Sequence, residues 1–323
     1  MNERKEPMTS SQSKLNLPFT GIASFSKYPI HTDLETLEAD VAVLGMPYDQ
    51  STQFRAGARF GPRGIRDAST LYGFGVGGTY DPERDEMFLG EQWRLVDCGD
   101  VDNVHGDQTQ CHENLRQAIR TIVARGALPI VLGGDHSITA PIIEALDTVG
   151  DFAVIQFDAH LDFVDSRAGN RYGHGSPMRR ASECKHVNGM AQLGIRGIGS
   201  SKRSDFEAAR AYGSEILSVR DIRRLGIQET LKRLPKRERY YITMDVDGID
   251  PALAPGTGTP SPGGFDFYEM QELLEGIARM GRIVGFDFVE VAPMYDPTGM
   301  TGQVAARLIL DFMGFILKER QRM

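Results

Sequence analysis

The chain has 323 residues, 41% hydrophobic and 25% charged, with a formal net charge of -8, a composition ordinary for a soluble globular protein and long enough to bury a substantial core. The acidic balance argues against a general nucleic-acid binder and suits a cationic substrate. Cys98, Cys111 and Cys184 are too few and too scattered for a disulfide framework or a zinc ribbon, so reduced thiols in a cytoplasmic protein are expected, and no apolar run reads as a leader or a membrane span.

Residues 1–16, rich in Lys, Glu, Ser and Gln, read as a disordered arm. No Pro/Ser/Gly linker or charge block divides residues 17–323, which are expected to form a single domain. Val41-Ala-Val-Leu44 is the first clear strand and runs into Gly45-Met-Pro-Tyr-Asp49, a loop marked by its Gly and Pro. The Arg- and Gly-dense stretch from Arg55 to Arg66 reads as a solvated turn that enters a helix at Pro62. Residues 93–97 form a short strand. Leu115, Ile119, Ile122 and Val123 fit one face of a helix over 110–125, with Gly126 just beyond its end. A strand over Leu128-Pro-Ile-Val-Leu132 turns sharply at Gly133-Gly134 into Asp135-His136. A helix from Ile138 to Leu146 then leads to a second strand, Ala153-Val-Ile-Gln-Phe157. This strand, helix, strand order predicts a parallel sheet with right-handed crossovers.

The second strand closes on Asp158-Ala-His160-Leu-Asp162, three potential ligands at every second position. Extended backbone sends such residues to one face, so they converge if strand geometry persists to the end; an Asp at a strand end also caps helices and starts turns. A long polar loop, 164–175, carries Arg167, Arg171, Tyr172 and His174, the last flanked by Gly173 and Gly175, which permit close approach to a site. Gln192 to Ile198 reads as a strand and Asp205 to Tyr212 as a short helix. Tyr240-Tyr-Ile-Thr-Met244 is another β-rich run, ending in Asp245-Val-Asp247. Gly248 to Gly264 holds so many Gly and Pro residues that it reads as a shaped surface loop. Asp266 with Glu269 caps a helix whose Met270, Leu273, Leu274 and Ile277 turn inward. Arg282-Ile-Val-Gly-Phe286 is the last strand and leads to Glu290; residues 301–317 form a closing helix with Leu308, Ile309, Phe312 and Ile316 buried. His105, His112 and His186 lack ligand-like spacing and are expected at the surface. Arg179 and Arg180 either meet a substrate carboxylate or, the favoured reading, form surface or intersubunit ion pairs, and Asp135 either orients a ligand or shapes a turn.

Several strands thus deliver Asp or His at their carboxyl ends, the edge where open α/β sheets place their sites. Asp158, Asp162, Asp245 and Asp247 bring four negative charges, and His136 and His160 add neutral nitrogen ligands. Four carboxylates cannot gather without cations, and two divalent ions balance them. Hard oxygen ligands with some imidazole point to Mn2+, with Ni2+, Co2+ or Fe2+ as alternatives. Two ions roughly 3.5 to 4 Å apart can share a hydroxide and so provide a nucleophile near neutral pH.

In order along the chain, Gly133-Gly-Asp-His136-Ser, Asp158-Ala-His-Leu-Asp162, Asp245-Val-Asp-Gly-Ile-Asp-Pro251 and Glu290-Val-Ala-Pro293 resemble the motifs of the ureohydrolase family, the arginases and agmatinases, and most nearly its agmatinase and guanidinobutyrase branch. The resemblance runs from Val41 to the C-terminus. It implies a three-layer α/β/α arginase-type fold with a central parallel sheet and the metal site at the C-terminal edge of the strands. It also implies hydrolysis of a small cationic guanidino compound, agmatine-like or guanidino-acid-like, to urea and an amine. One metal would take His136, Asp158, Asp162 and Asp245, and the other Asp158, His160, Asp245 and Asp247, so that Asp158 and Asp245 bridge. His174 matches the family's proton-shuttling histidine and Glu290 the acid that pairs with the guanidinium. A homo-oligomer, trimer or hexamer, is implied as well, with no nucleic acid or membrane partner.

Leu161, Phe163, Ser261-Pro262 and Asp266 depart from the family's commoner residues. None is a ligand, so they bear on the substrate; free guanidine or a substituted guanidine or biguanide, with Ni2+ and a related partner subunit, is the alternative. Zinc deacetylases on the same fold need neither the histidine of Gly-Gly-Asp-His nor the second aspartate of Asp-x-Asp, and the full set here argues against them. A non-catalytic subunit is disfavoured by the same full set.

Overall fold

β-branched and aromatic runs, each bounded by Gly, Pro or Asp, set the strands of this protein, and their burial on both faces sets how they assemble. The computed structural model describes residues 17–73 and 78–322, so the arm expected over residues 1–16 lies outside the described residues. In chain order the elements begin β1 (Val41–Met46), α1 (Gly61–Ser69), β2 (Thr79–Asp81), β3 (Glu86–Phe88), β4 (Leu95–Asp100), α2 (Gln108–Ala124), β5 (Leu128–Gly133), α3 (Thr139–Ala145) and β6 (Phe152–Phe157). They continue with α4 (Pro177–Ala181), β7 (Val187–Leu193), α5 (Arg203–Tyr212), β8 (Glu215–Leu217), α6 (Val219–Leu225), α7 (Ile227–Arg233), β9 (Arg239–Asp245), α8 (Phe267–Ala278), β10 (Arg282–Val289) and α9 (Met300–Arg322).

All strands but the hairpin β2-β3 form one sheet in the order β4-β1-β5-β10-β9-β6-β7-β8, with every neighbouring pair parallel. Alternate strand residues face two separate cores. Val43, Ile130, Ile155, Ile242 and Phe286 pack with α1 and α6 to α9, whereas Leu44, Val131, Val154 and Tyr241 pack with α2, α3 and α4. The three-layer α/β/α arrangement follows. β5 and β6 are consecutive in the sheet strands of the chain, yet β10 and β9 lie between them. The chain therefore leaves the sheet centre after β5 and fills the gap last, which creates a crevice at the carboxyl ends of four adjacent strands.

α1 begins at Gly61, one residue before the expected Pro62, which sits in its first turn, and the Asp266–Glu269 capping box of α8 forms with both reciprocal bonds. Other expectations need correction. The strand placed at 192–198 is β7, which begins at Val187 and ends at Leu193, because Gly194 takes φ +100° and a side chain there would collide with the Asp158 carbonyl and the Phe265 ring. Arg66 is not solvated: it is buried, with Nε and Nη2 donating to the Asp97 carboxylate at 2.8 and 2.9 Å. The Gly- and Pro-rich loop is only partly at the surface, since Ala254, Gly256 and Thr257 are buried and Ala292 N donates to Gly256 O at 2.7 Å. α9 also corrects the sequence reading, being long and apolar enough to cross a bilayer, although 72% of its most apolar window is buried within the protein.

Gly134 shows why the turn after β5 is made of glycine. A Cβ there would lie 2.5 Å from Tyr48 O and 2.6 Å from Met46 O, and backbone atoms of a central strand and its loop cannot step aside. Gly134→Ala is therefore expected to cost about 1–3 kcal/mol, read as a lower midpoint in thermal unfolding; a midpoint unchanged within about 1 °C would contradict this packing.

Candidate metal centre

The four central strands each supply part of one cluster, immediately past their carboxyl ends. His136 follows β5, Asp158 to Asp162 follow β6, Asp245 ends β9 with Asp247 just beyond, and Glu290 follows β10. His136, Asp158, Asp162, Asp245 and Asp247 are all buried. His136 Nδ1 lies 3.1 Å from Asp158 Oδ2, 2.9 Å from Asp162 Oδ2 and 3.3 Å from Asp245 Oδ2. His160 Nδ1 lies 3.0 Å from Asp247 Oδ2 and 3.5 Å from Asp158 Oδ1. Two groups that could each hold a metal ion result, His136–Asp158–Asp162 and Asp158–His160–Asp247, with ligand atoms in each group within 4.8 Å of one another. Asp158 belongs to both and turns one oxygen to each.

The convergence does not come from persistent strand geometry. β6 ends at Phe157, and Asp162 is reached through a turn that leaves it at φ 51°. Backbone amides hold that turn: His160 N donates to Asp158 Oδ1 at 2.5 Å and Ala159 N to Asp247 Oδ1 at 3.1 Å. Glu290 also sits at positive φ, 64°. Non-glycine residues rarely adopt this conformation, and strain of this kind tends to gather where a site dictates the backbone.

The electrostatics describe a cluster short of positive charge. Burial lifts the Asp162 carboxyl to about 6, and the Asp158 charge adds to it. Burial, with Asp247 and Asp158, lifts Asp245 well above the usual carboxylate range. Burial pulls the His160 ring down, but the Asp247 and Asp158 carboxylates outweigh it and raise it to about 12. Carboxylates that keep protons and imidazoles that gain them both relieve the same repulsion, and a bound cation would displace those protons. Oxygen-rich donors with two imidazoles fit a pair of divalent ions.

Behind the cluster runs a second set of polar residues that sequence reasoning missed. His136 Nε2 lies 2.9 Å from Thr243 Oγ1, and Thr243 Oγ1 donates to Asp287 Oδ1 at 2.6 Å. Thr139 Oγ1 and Tyr241 OH also donate to Asp287. Since the Thr243 proton goes to Asp287, its oxygen accepts from His136 Nε2–H, which leaves Nδ1 directed at the carboxylates. On the other side Gln156 Nε2 donates to Asp158 Oδ2 at 2.6 Å, and Gln192 Nε2 to Gln156 Oε1 at 2.7 Å. Arg196 donates to the carbonyls of Asp247 and Ser261, both at 2.6 Å, and ties the Gly- and Pro-rich loop to the cluster. The available signal was a polar residue interrupting an apolar strand, as in Val-Ile-Gln156-Phe or Gly-Phe-Asp287-Phe.

The remaining candidates fall as follows. His174 Nδ1 lies 3.2 Å from Glu290 Oε1, and that oxygen also accepts from His136 N at 2.9 Å. Burial pulls the His174 ring down, but the hydrogen bond and charge of Glu290 raise it to about 9. Glycine is not what lets His174 approach: a Cβ at Gly173 meets nothing within 4 Å, and one at Gly175 meets only Val164 Cγ2 at 3.9 Å. His160, Asp162, His174 and Asp245 line a cavity of about 470 Å³, and Glu290 is buried next to His174. Asp135 is no ligand; it accepts from Ser51 N at 3.0 Å and Ser137 N at 3.1 Å, pinning the loop after β1 against the turn after β5. His105 is exposed, but His112 is buried between Tyr48 and Tyr172 and His186 is half-buried, 2.9 Å from Ile143 O. Arg180 is buried too, pairing with Asp165 at 2.8 Å and Glu183 at 3.0 Å.

Comparison with known proteins gives matches along almost the whole chain. The profile of the Arginase family matches residues 39–314. A mitochondrial guanidino acid hydrolase of Homo sapiens is 34% identical over 303 residues, covering 91% of this chain and 82% of that protein. A guanidinopropionase of Pseudomonas aeruginosa is 33% identical over 331 residues, covering 99% of each. Among solved structures, proclavaminate amidino hydrolase from Streptomyces clavuligerus superposes with a TM-score of 0.83 at 31% identity, covering 93% of this chain and 98% of that one.

The Thr243 contact predicts a defect in metal binding without loss of fold. Thr243→Val keeps the side-chain shape but removes the acceptor for His136 Nε2–H. Mn2+ affinity measured by chelator competition is expected to fall about 10- to 100-fold, and an unchanged affinity would dismiss Thr243 as the group that orients His136.

Proposed function

The chain belongs to the arginase family of hydrolases that act on C–N bonds of guanidino compounds, and from this premise we propose that it hydrolyses a small guanidino compound to urea and an amine at a two-metal centre. The observation that carries the reading is the pair of ligand groups sharing Asp158, placed on the floor of a cavity whose wall includes His174. The metal ligands we propose are His136, Asp158, Asp162 and Asp245 on one side and Asp158, His160, Asp245 and Asp247 on the other. Mn2+ suits this donor set, with Ni2+ as the alternative. When bound, two such cations lower the pKa of water enough to supply a nucleophile near neutral pH.

The chain's own residues account for the rest of the reaction. Addition of hydroxide to the trigonal guanidino carbon gives a tetrahedral carbon, and the C–N bond to the amine breaks only as that nitrogen gains a proton. His174 is the proposed donor. Its Nδ1 is engaged by Glu290, so Nε2 is the atom left to face the substrate, and the Glu290 carboxylate favours the protonated ring. Glu290 Oε1 is committed to His174 and His136, leaving Oε2 as the oxygen for a guanidinium. The strained Glu290 backbone and the buried Asp287 network keep these partners from drifting, which is where proximity effects originate.

A panel of agmatine, 4-guanidinobutyrate, 3-guanidinopropionate, guanidine and a biguanide, assayed for urea and amine with Mn2+ and with Ni2+, tests the reading. Urea release from at least one compound is expected, together with a loss of roughly 100- to 10,000-fold in kcat for His174→Ala at unchanged metal content. A protein loaded with metal that releases urea from none of them would overturn the proposal, and loss of a metal ion in His174→Ala would make His174 a ligand instead.

A further inference from the structure

The cavity of about 470 Å³ in front of His160 and Asp162 is far larger than a guanidino group, so the rest of the substrate must meet its outer wall. Most charged groups on that wall are already committed. Asp162, Asp245, His160 and His174 belong to the centre, and Arg196 donates from Nε, Nη1 and Nη2 to backbone carbonyls. Arg167 remains.

Arg167 differs from the cations around it. Arg171, Arg179 and Arg180 each pair with Asp165 or Glu183, whereas Arg167 has no ion pair among the described residues, its Nη1 donating to Gln53 Oε1. Its backbone is nevertheless fixed. Arg167 N donates to Asn170 O at 2.9 Å and Asn170 N to Arg167 O at 3.0 Å, closing a two-residue turn whose central Ala168 and Gly169 both have positive φ, 49° and 83°. This is the tight hairpin turn with mirror-image dihedrals, stiff at its base. Val164 N to Gly175 O at 3.0 Å closes the loop below it, and Gln108 Nε2 to Tyr172 O at 2.7 Å holds its side.

We propose that Arg167 binds a carboxylate at the far end of the substrate, so that the substrate is a guanidino acid with a short methylene chain and not a guanidino amine. This rests on the hydrolase reading above and extends it from a reaction to a substrate class. Charge decides between the two classes. No carboxylate of the cavity wall lies outside the centre to receive a second positive charge, so an ammonium tail would meet Arg167 unopposed; a carboxylate tail meets a planar forked donor that matches it. Phe54, also on the wall, offers an apolar face for the methylenes.

Three compounds share the guanidino group and differ in tail charge: 4-guanidinobutyrate, agmatine and n-butylguanidine. Isothermal titration and steady-state kinetics with each, on the metal-loaded wild type, Arg167→Gln and Arg167→Lys, test the assignment. The wild type is expected to bind 4-guanidinobutyrate at least about tenfold more tightly than agmatine. In Arg167→Gln the preference for 4-guanidinobutyrate over n-butylguanidine should fall about tenfold, mainly through KM and Kd, with Arg167→Lys retaining most of it. Equal affinity for agmatine, an unchanged preference in Arg167→Gln, or no binding of 4-guanidinobutyrate would overturn the proposal. Urea release without any Arg167-dependent preference would leave the hydrolase reading standing alone, while an Arg167-dependent preference in titration without urea release would leave only the carboxylate site.

Discussion

Four buried carboxylates that repel one another are the constraint on which this structure turns. Two like charges about 4 Å apart interact by roughly 4 kcal/mol at the effective dielectric of a protein, and here Asp158, Asp162 and Asp245 each lie within 3.3 Å of His136 Nδ1 while Asp247 lies 3.0 Å from His160 Nδ1, all four carboxylates being buried. Hydrogen bonds from Ala159 N, His160 N, Asp247 N and Thr259 Oγ1 soften the repulsion, but a net contribution of about 1.5–3 kcal/mol for each bond to a charged group does not cancel every pairwise term. Two divalent cations would. The same demand accounts for the raised carboxyls of Asp162 and Asp245 and for the imidazoles drawn toward the charged form.

A parallel sheet suits this task because it carries its own rigidity to the site. Every strand that ends at a candidate ligand is flanked by paired strands on both sides and covered by helices on both faces. The ligands follow directly on the strand ends, so their anchor points share the sheet's registration, and only the turns Asp158–Asp162 and Gly133–His136 need special backbone. Polar residues further back within the strands, Thr243 with Asp287 and Gln156 with Gln192, then fix ring and carboxylate orientation from within the sheet. In the proposed reading, rigid elements at the base would hold metal while one tight-turned loop above, carrying both Arg167 and His174, would handle substrate.

Much of this was legible in the sequence because strands followed by clustered Asp and His leave a strong local pattern. The candidate ligand motifs, the capping box of α8 and the glycines after β5 each depend on a few neighbouring residues, so spacing and residue type suffice to single them out. What could not be read depends on long-range packing. Gln156, Thr243 and Asp287 are single polar residues in apolar runs whose partners lie on other strands; Arg196 finds its carbonyls across more than fifty residues of chain, in a loop that composition alone placed at the surface. His112 likewise looked like a surface residue until Tyr48 and Tyr172, one on each side, buried it. The three-residue strands β2, β3 and β8 are too short for any periodicity to show.

The central claim is that one cluster takes two cations and that Asp158 serves both. Titration of metal-free protein with Mn2+, followed by metal content and urea release together, tests it most directly. Two ions per chain are predicted at full activity, with Asp158→Asn losing affinity at both sites at once. A fully active protein holding one ion per chain, or an Asp158→Asn variant that keeps both ions at wild-type affinity, would contradict it.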